Sequence, residues 1–506
     1  MDIVEISWML WATLAVALII YYLSILTRDS CSARKPPGPR PHPFIGNLLH
    51  LRGGNLHHTL ARLARIHGPV MRLKLGLTTA VVISSCDAAR EAFMRHDRRL
   101  AARAVPDATH AFGFADRSVV WLPSSDPLWK TLRGVVASHL FTPRSLASAR
   151  SVREHKVREL VSYFRERAGR EVEVGHAVYG GVLNLVSNVI CSVVVVDIGA
   201  DSATGLRKVV EDLVELIATP NVSDLYPFLR PLDLQGWRRF AAKHLEKIFS
   251  ILDGIVDRRV EEVRSSSSKE RQNSDFLDAL IKLMSTGKMA RDNVTSILFD
   301  VFTAGSDTIA ITVEWAMAEL LRNPSIMDKA RAEIKGVLGD KETIEEPDAA
   351  SLPYLQAVVK EAMRLHPVAP IMLPHKAVED GVEVCGYAVP QGATVIFNVW
   401  AIMRDPAIWD RPDVFVPERW FLDRAAEVDF KGKDFEFIPF GSGRRMCPGL
   451  PMAERVVPHI LASLLHAFEW RLPDGASSAE QLDVTEKFTT ANVMAVPLRA
   501  VPVAIT

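Results

Sequence analysis

Apolar residues recur at helical spacing along most of the chain. The segment 56–67 is amphipathic, and longer helical patterns cover 126–140, 151–169, 182–195, 206–219, 235–262 and 293–322. Two short segments differ: 70–75 alternates apolar and basic residues, and 78–83 is rich in β-branched residues, which predicts a strand pair. Further strand patterns occur at 382–384 and 394–397, and the polar tract 265–271 predicts an exposed loop. The pattern predicts a mainly α fold with a small β portion.

The N-terminal segment has the pattern of a membrane anchor. Residues 6–26 carry no charge, and 21 residues in a helix span a hydrocarbon core of ~30 Å. Asp2 and Glu5 precede this stretch, while Arg28, Arg34 and Lys35 follow it, so the positive-inside rule places the body of the protein in the cytosol. A cleaved signal peptide is the alternative, but it requires a basic leading region. The sequence favours a retained, single-pass transmembrane helix.

Composition adds a domain scheme and excludes two classes of protein. The segment after the anchor has five prolines between 36 and 43, which predicts a stiff, extended hinge. We therefore divide the chain into an anchor at 1–27, a basic and proline-rich hinge at 28–45, and a single catalytic domain at 46–506. Sixty basic and sixty acidic residues give a net charge of zero, which argues against nucleic-acid binding. Five scattered cysteines without a C-x-x-C pair argue against a disulfide framework.

The first candidate for chemistry is a cysteine loop near the C-terminal end. Phe440, Gly443, Arg445, Cys447 and Gly449 fit the spacing F-x-x-G-x-R-x-C-x-G. A cysteine thiolate can be the axial ligand of a haem iron, and it promotes O–O cleavage by pushing electron density into the metal. Glycines let the backbone pass close to a flat macrocycle, and the arginine can hold a propionate. A structural cysteine in a Gly-rich loop is the alternative.

The second candidate is a polar break in the apolar helix predicted at 293–322. Its middle reads Ala304, Gly305, Ser306, Asp307 and Thr308, and a glycine inside a helix costs about 1 kcal/mol relative to alanine. Such a local conflict tends to mark a functional site. Ala304 and Gly305 would let the helix pass over one face of a haem. Asp307 and Thr308 form an acid–alcohol pair that can deliver protons to bound oxygen. A tolerated glycine beside two solvent-facing polar groups is the alternative.

The two motifs together resemble those of the cytochrome P-450 monooxygenases of plant microsomes. The segments 313–321, 462–470 and 485–488 further resemble the plant geraniol-hydroxylase-type family, which acts mainly on terpenoids. The likeness is greatest to the grass branch of that family, whose members hydroxylate labdane-related diterpenes in defence metabolism. The resemblance covers essentially the whole chain. Two departures are Ile309, where the family often has a second hydroxyl residue, and Pro458, which predicts a kink or an early turn in the helix after Cys447.

The resemblance implies a cofactor, a partner and a location. The cofactor is haem b with O2 as co-substrate, and the electrons come from NADPH through a separate NADPH–cytochrome reductase. The chain has no nicotinamide-binding fingerprint of its own. The location is the endoplasmic reticulum membrane. A basic patch on the cysteine side of the haem could dock an acidic donor; it would consist of Lys130, Arg133, Lys431, Lys433, Arg444 and Arg445.

The same resemblance assigns residues to the surroundings of the haem. Glu361 and Arg364 match the family's E-x-x-R pair, which locks beneath the haem with the arginine of a P-E-R segment, here Arg419. Trp129 and Arg133 match a W-x-x-x-R helix whose donors reach a propionate. His375 occupies the place of a further propionate donor. A surface ion pair, a chance Trp–Arg pair and a surface histidine are the respective alternatives.

The substrate would meet apolar residues with a few hydroxyl groups. By the resemblance, the segments that face it are the helix before Thr308, the loop before Trp129, the run after Pro367 and a C-terminal turn. The set suits a lipophilic, weakly functionalised molecule; core packing is the alternative for each member, and the candidates are Phe112, Phe114, Phe302, Val368, Ile371 and Thr490.

Three functional hypotheses follow. The leading one is a membrane-anchored haem-thiolate monooxygenase that hydroxylates a terpenoid, with a labdane-related diterpene favoured over a monoterpenol or another lipophilic metabolite. A haem-thiolate isomerase or dehydratase, which needs no reductase, is the second, although such enzymes tend to lack the acid–alcohol pair. A non-catalytic haem carrier is the third, but it would have two protein axial ligands and a small domain.

Overall fold

The protein is seen in a computed structural model that describes residues 34–195, 212–217, 221–265, 275–339, 341–473 and 482–505, with single positions at 8, 11–13, 16, 208, 210 and 219. The predicted anchor at 1–27 lies outside these residues except for helical positions at 8, 11–13 and 16. Most of the predicted loop 265–271 also lies outside them, as do five of the fourteen residues of the predicted helix 206–219.

Helices make up most of the described chain. The α-helices are α1 Leu56–His67, α2 Cys86–Leu100, α3 Pro127–His139, α4 Pro143–Ser148, α5 Arg150–Arg165, α6 Val174–Cys191, α7 Val222–Leu225, α8 Trp237–Ser265, α9 Phe276–Ser285, α10 Arg291–Arg322, α11 Pro324–Leu338, α12 Glu346–Ala350, α13 Pro353–Leu365, α14 Val399–Ile402 and α15 Leu450–Ala467. Short 3-10 helices cover Leu48–Leu51, Asp107–Gly113, Pro227–Leu232, Pro417–Phe421, Asp423–Ala426 and Gly443–Arg445.

The described strands form four small sheets. They are β1 Val70–Leu75, β2 Thr78–Ile83, β3 Ala102–Arg103, β4 Val172–Glu173, β5 His375–Lys376, β6 Val382–Val384, β7 Tyr387–Val389, β8 Thr394–Phe397, β9 Phe468–Arg471, β10 Glu486–Phe488, β11 Asn492–Met494 and β12 Arg499–Ala504. The largest sheet has the order β1-β2-β8-β5-β3, and the others are β4-β12-β9, β6-β7 and β10-β11. The predicted pairing of 70–75 with 78–83 is confirmed as an antiparallel ladder.

Local sequence explains where the helices near the site begin. The Asp126 side chain accepts a hydrogen bond from the Leu128 N–H and caps α3, and Pro127 follows as the first helical residue. Ser85 caps α2 in the same way. These caps satisfy backbone donors that have no partner inside the helix. The predicted starts at 126 and 56 are therefore accurate to about one residue.

Helix α6 begins eight residues before the start predicted at 182. The residues directly before the predicted start are Gly180 and Gly181, and glycine weakens a helix. A Cβ at Gly181 would lie only 3.0 Å from the Leu160 side chain of α5, so the missing side chain lets the two helices pack closely. Tertiary packing outweighs the local propensity here.

Helix α10 crosses the hydrophobic core, and most of its side chains are buried. Among the described residues, α6 and α10 are long and apolar enough to cross a membrane by length and composition, but both lie largely inside the protein. Helix α15 continues through Pro458 to Ala467, so the early turn predicted there does not occur. The fold surrounds α10 with α6, α8, α13 and α15, and the cysteine loop lies directly before α15.

Candidate active site

The cysteine loop is a tight turn that ends at the start of α15. Gly441 and Gly443 have φ values of +72° and +67°, which glycine adopts without strain. At Gly443 a Cβ would also lie 2.2 Å from Asp97 Oδ1, so glycine is required by space as well as by conformation. The Cys447 N–H donates to the Phe440 carbonyl at 2.9 Å and closes the turn. The tight turn is compatible with the predicted close approach of the glycine backbone to a flat macrocycle, which stays a prediction.

The Cys447 side chain has accessible surface although it lies deep in the protein. Its thiol counts as exposed, yet burial is the largest influence on it and raises its pKa. The backbone N–H groups of Gly449 and Leu450 and the charge of Arg133 oppose that rise. Because Cys447 has accessible surface although it lies deep in the protein, its side chain lines an internal space. Two N–H groups directed at the sulfur also suit a thiolate.

Helix α10 has an exposed face in its buried middle. Ala304 and Thr308 are exposed, one turn apart, while Ser306 and Ile309 beside them are buried. The Thr308 hydroxyl donates to the Ala304 carbonyl at 2.8 Å, which leaves its oxygen able to accept. The Asp307 side chain is half-buried. The acid–alcohol pair therefore lies at an opening in the core helix.

Gly305 lies on another face of α10 from Ala304. A Cβ at this position would meet the Val186 side chain of α6 at 3.5 Å, which is ordinary contact. Successive helical residues differ by about 100° around the axis, so neighbours cannot share one face. Of the two small residues predicted to face a haem, the structure exposes Ala304 and turns Gly305 towards α6.

Three arginines and a tryptophan converge near the cysteine loop. Arg445 lies over the Trp129 ring at 4.7 Å from its centroid, and its Nε donates to the Ala101 carbonyl at 2.8 Å. Trp129 Nε1 donates to the Val119 carbonyl at 3.0 Å. Arg133 donates to the Met446 carbonyl, next to Cys447. The structure thus brings together Trp129, Arg133 and Arg445, which the sequence analysis assigns to the haem propionates; that assignment stays a prediction.

Arg103 is a member of this cluster that the sequence analysis missed. Strand β3 pairs with β5 so that Arg103 lies opposite His375. Burial, together with the charges of Arg445 and Arg133, lowers the pKa of Arg103 to about 9. No local pattern marks this residue, because only the pairing of two short strands places it beside the other cations.

The cluster fits the carboxylates of a haem. Within the described chain, Arg103, Arg133 and Arg445 have no acidic side chain within 4.0 Å and donate to backbone carbonyls instead. Burial and the Arg103 charge lower the pKa of His375 to about 3, so this ring is neutral, and its Nδ1 donates to the Leu100 carbonyl at 3.0 Å. Buried cations without acidic partners are costly. Two propionates would supply the missing negative charge.

A buried ionic network joins α13 to the 3-10 helix Pro417–Phe421. Arg364 donates to both oxygens of Glu361 at 2.9 Å, and Arg419 donates to Glu361 Oε1 at 3.0 Å. Trp420 Nε1 reaches Glu361 Oε2 at 3.0 Å. Glu361 and Arg364 have no exposed surface. The three residues assigned to this network by resemblance are in contact, and a surface ion pair is excluded.

A buried carboxylate on α10, Asp300, is a further feature that the sequence analysis missed. Both oxygens of Asp300 accept from the Ser118 hydroxyl at 2.9 Å, and one also accepts from the Val119 N–H at 2.8 Å. Asp300 therefore holds the loop whose Val119 carbonyl receives Trp129. An isolated acidic residue in the apolar run 297–302 was the available signal.

We expect Asp300→Asn to change how stability depends on pH. Burial raises the pKa of Asp300 to about 7, although the bonds from Ser118 and Val119 oppose the rise. Between about pH 4, its unfolded value, and pH 7 the folded protein holds a proton that the unfolded chain has lost. Folding stability from this residue therefore falls as pH rises through that window, by up to about 4 kcal/mol at about 1.4 kcal/mol per pH unit. Thermal unfolding of both proteins at pH 5 and pH 7.5 measures the difference.

Asn at this position should therefore raise the unfolding midpoint more at pH 7.5 than at pH 5, relative to the parent protein. The matched control is Asp292→Asn, on the same helix but with a side chain that is 66% exposed. An equal shift at both pH values would show that Asp300 is ionised throughout.

The predicted substrate residues separate into several places. Phe114 is buried against Phe299 and Phe249 at 5.2 and 5.9 Å between ring centroids. Phe112, in contrast, is 48% exposed. Ile371 is part of a small core cluster beside the largest sheet. The substrate-facing candidates are therefore not one continuous lining in this structure.

Phe302 lies on the far side of α10 from Ala304. It lines a cavity of about 60 Å³ between α6, α8 and α10, together with Leu183, Leu252 and Phe299. Two residues along a helix correspond to about 200° around the axis, so Phe302 and Ala304 point in nearly opposite directions. The sequence proximity of the two residues does not place them at one site.

The predicted basic patch is smaller than the sequence suggests. Arg133 and Arg445 point inward to backbone carbonyls, as described above. Arg444 pairs with Asp97 at 3.0 Å, and Lys431 pairs with Asp429 at 3.2 Å. Lys130 and Lys433 are exposed. Four of the six residues remain at the surface, and two of those four are neutralised by a neighbouring acid.

Comparison with known proteins agrees with this geometry. Residues 36–492 match the family model described as Cytochrome P450. Cytochrome P450 76M5 of Oryza sativa subsp. japonica is 64% identical, and the alignment covers 98% of this chain and 99% of that protein. Ent-cassadiene C11-alpha-hydroxylase 1 of the same organism is 60% identical, with 98% and 99% covered. Geraniol 8-hydroxylase of Catharanthus roseus is more distant, at 43% identity with 97% and 98% covered.

The match extends over nearly the whole described domain and includes the cysteine loop, the exposed face of α10 and the buried network of Glu361. Family members bind haem and take electrons from NADPH through a reductase. The mainly helical fold with small sheets is that of the family, as the sequence predicts. The chain belongs to the cytochrome P450 family of haem-thiolate monooxygenases.

Proposed function

We propose that this monooxygenase hydroxylates a labdane-related diterpene olefin in specialised or defence metabolism. The similarity at 60% identity to a hydroxylase of ent-cassadiene, over almost the full length of both chains, is the observation that carries the proposal. The apolar character of the candidate lining is in agreement, because an olefin offers no charge or strong hydrogen-bonding group. A monoterpenol is the alternative substrate class.

In this proposal the cysteine loop and the arginine cluster hold the haem. Cys447 would be the thiolate that binds the haem iron, and the N–H groups of Gly449 and Leu450 would stabilise its negative charge. The propionates would lie near the side chains of Arg103, Trp129, Arg133, His375 and Arg445. The haem supplies the activation of O2 when it is bound. The Glu361 network supports the cysteine side of the site from below.

The exposed face of α10 would control proton delivery. Thr308 donates its own proton to the Ala304 carbonyl, so its oxygen can accept a hydrogen bond from a water or a bound species. Asp307, the next residue, is half-buried and can exchange protons with water. General acid groups of this kind typically contribute 10²–10⁴-fold to a proton-transfer step.

We expect Thr308→Ala and Asp307→Asn to uncouple NADPH consumption from product formation. Without the relay, electrons still arrive, but oxygen leaves as peroxide or water. Product per NADPH should fall by about tenfold or more, while haem content is retained. The matched control is Thr312→Ala, which removes a similar helix hydroxyl that bonds to the Thr308 carbonyl at 2.7 Å. Equal coupling in Thr308→Ala and Thr312→Ala would contradict the assignment.

We also propose that residues 6–26 anchor the enzyme in the endoplasmic reticulum membrane with a single span and a cytosolic catalytic domain. The uncharged stretch and the basic residues that follow it support this orientation. The reductase would then share the membrane with the enzyme.

The decisive experiment is a product assay. Membranes that contain this protein and its reductase receive NADPH and a panel of diterpene olefins and monoterpene alcohols, and mass spectrometry identifies the products. Addition of one oxygen to a diterpene olefin supports the proposal. If only the monoterpenols react, the substrate is a monoterpenol and the diterpene proposal is rejected. Conversion that persists without the reductase would instead indicate an isomerase or dehydratase.

A further inference from the structure

A single carboxylate, Glu486, contacts the adjacent pair His57 and His58 and a third histidine, His366, from another part of the chain. His57 Nε2 and His58 Nε2 lie 2.9 and 2.8 Å from Glu486 Oε2, and His366 Nδ1 lies 3.2 Å from Oε1. The Glu486 side chain is only 6% exposed. Burial opposes ionisation, but the three histidine bonds lower the pKa of Glu486 well below its usual range. The carboxylate is therefore charged, and each of its two oxygens has at least one histidine as a hydrogen-bond partner.

The charge of this group is balanced locally. Arg404 lies 3.8 Å from Glu486 Oε1 and is largely buried. The ligand atoms of His57, His58 and Glu486 all lie within 4.8 Å of one another, as a metal site would require. However, Arg404 already supplies the positive charge, and the imidazole nitrogens face the carboxylate as hydrogen-bond partners. We call the group of Glu486, His57, His58, His366 and Arg404 the hub, because its side chains link separate helices and strands.

The hub fixes strand β10 against the start of α1. Asn55, the residue before α1, donates from Nδ2 to the Glu486 carbonyl at 2.7 Å and accepts from the Phe488 N–H at 2.8 Å. The Asn55 side chain thereby takes the place of a neighbouring strand. His57 and His58 lie in the first turn of α1. The start of α1 therefore holds β10 in two ways: Asn55 binds the β10 backbone, and the two histidines bind the Glu486 side chain.

The partner strand β11 is fixed from the other side. The Asn492 N–H donates to the Val368 carbonyl at 2.8 Å, and Trp315 Nε1 of α10 donates to the Asn492 carbonyl at 2.8 Å. Trp315 stacks on His366 at 3.9 Å and an interplanar angle of 5°. His366 thus connects the support of β11 back to Glu486. The two strands of the hairpin are therefore held by one connected set of buried side chains, which runs from Glu486 through His366 to Trp315.

The turn between these strands is 489–491, which contains Thr490 and lies next to Val368 through the Asn492 bond. We propose that Glu486 is a positioning residue that sets substrate specificity by holding in place the turn 489–491 and Val368, two segments that the family resemblance assigns to the substrate. This inference rests on the proposed function, because the resemblance is what assigns this turn to the substrate.

The test compares Glu486→Gln with Glu383→Gln in the full-length, haem-loaded enzyme. Gln keeps the size of the side chain but turns an NH2 group towards a histidine donor. Glu383 is exposed in another small hairpin, β6–β7, and serves as the control. A second variant, Asn55→Ala, keeps every charge and removes only the backbone clamp on β10. If Glu486→Gln yields no haem-loaded protein, the same measurements are made on Asn55→Ala alone.

Two readouts separate positioning from general damage. Hydrogen exchange of the peptides that cover 486–494 should become at least about tenfold faster in both variants, and exchange in α10 should stay the same. Spectral titration with two azoles tests the pocket. The Kd of the bulky ligand clotrimazole should change by about tenfold, which is about 1.4 kcal/mol, while the Kd of the small ligand 1-phenylimidazole stays within about twofold.

Neither readout needs a diterpene, so the inference can be judged even if the substrate class proves wrong. With an active substrate, the ratio of hydroxylated isomers should also shift in Glu486→Gln and Asn55→Ala. Unchanged exchange of 486–494 would overturn the inference. So would equal changes for both azoles, because those would indicate a global loss of structure and not a moved turn.

Discussion

Cys447→Ala is expected to abolish monooxygenase activity and the carbon monoxide difference spectrum that is typical of thiolate ligation. The structure offers the Cys447 sulfur to an internal space and directs the N–H groups of Gly449 and Leu450 towards it. Alanine provides no ligand, and water or another neutral group cannot push electron density into the iron. We expect product formation to fall below detection, a loss of at least about 10³-fold. Mass spectrometry and the difference spectrum measure this on one preparation.

A matched control separates ligation from packing. Cys191 is a buried cysteine on α6, and its Sγ lies 3.2 Å from the Ser187 carbonyl, so Cys191→Ala removes a thiol that is not part of the cysteine loop. This variant should keep its thiolate-type spectrum. A normal spectrum in Cys447→Ala, or the loss of that spectrum in Cys191→Ala as well, would show that Cys447 is not the axial ligand.

Glu361→Ala and Arg364→Ala are expected to give little haem-loaded protein. Glu361 accepts from Arg364, Arg419 and Trp420, and loss of the carboxylate would leave two buried guanidinium groups without their anion. Removal of one partner from a buried ion pair costs about 3–5 kcal/mol, a large part of the stability of most proteins. The ratio of haem absorbance to protein, measured after purification, should fall by about tenfold or more.

The control for the Glu361 network is a surface pair. Arg499 pairs with Glu173 at 2.8 Å, but the Arg499 side chain is 58% exposed, and solvent screens an exposed pair so that it adds little to stability. Arg499→Ala should therefore load haem like the parent protein. Full haem loading of Glu361→Ala would reject a structural role for the network.

The fold near the site could be predicted where one local signal dominates. Helix α1 was predicted within its observed bounds because its apolar residues have a strong helical period, and β1 and β2 were predicted because their patterns differ so clearly from it. The start of α6 was missed because the glycine signal is local, while the packing of Gly181 on Leu160 is not. Local propensity is a weak prior that tertiary contacts often override.

The candidate site shows the same division. By itself, the sequence identified the cysteine loop and the acid–alcohol pair as candidates, because the chemistry of each requires fixed residue types at short spacing. The Glu361, Arg364 and Arg419 set came from the family resemblance, because 55 residues separate Arg364 from Arg419 and no local pattern joins them. Only the tertiary structure showed that Arg103 joins the arginine cluster, that Asp300 holds the loop of Ser118 and Val119, and that Phe302 lines a cavity with Leu183 and Leu252. These properties depend on strand pairing and on contacts between distant residues, such as Ser118 and Asp300, which are 182 positions apart. None of these is encoded in a short window of sequence, because each depends on how distant segments pack together.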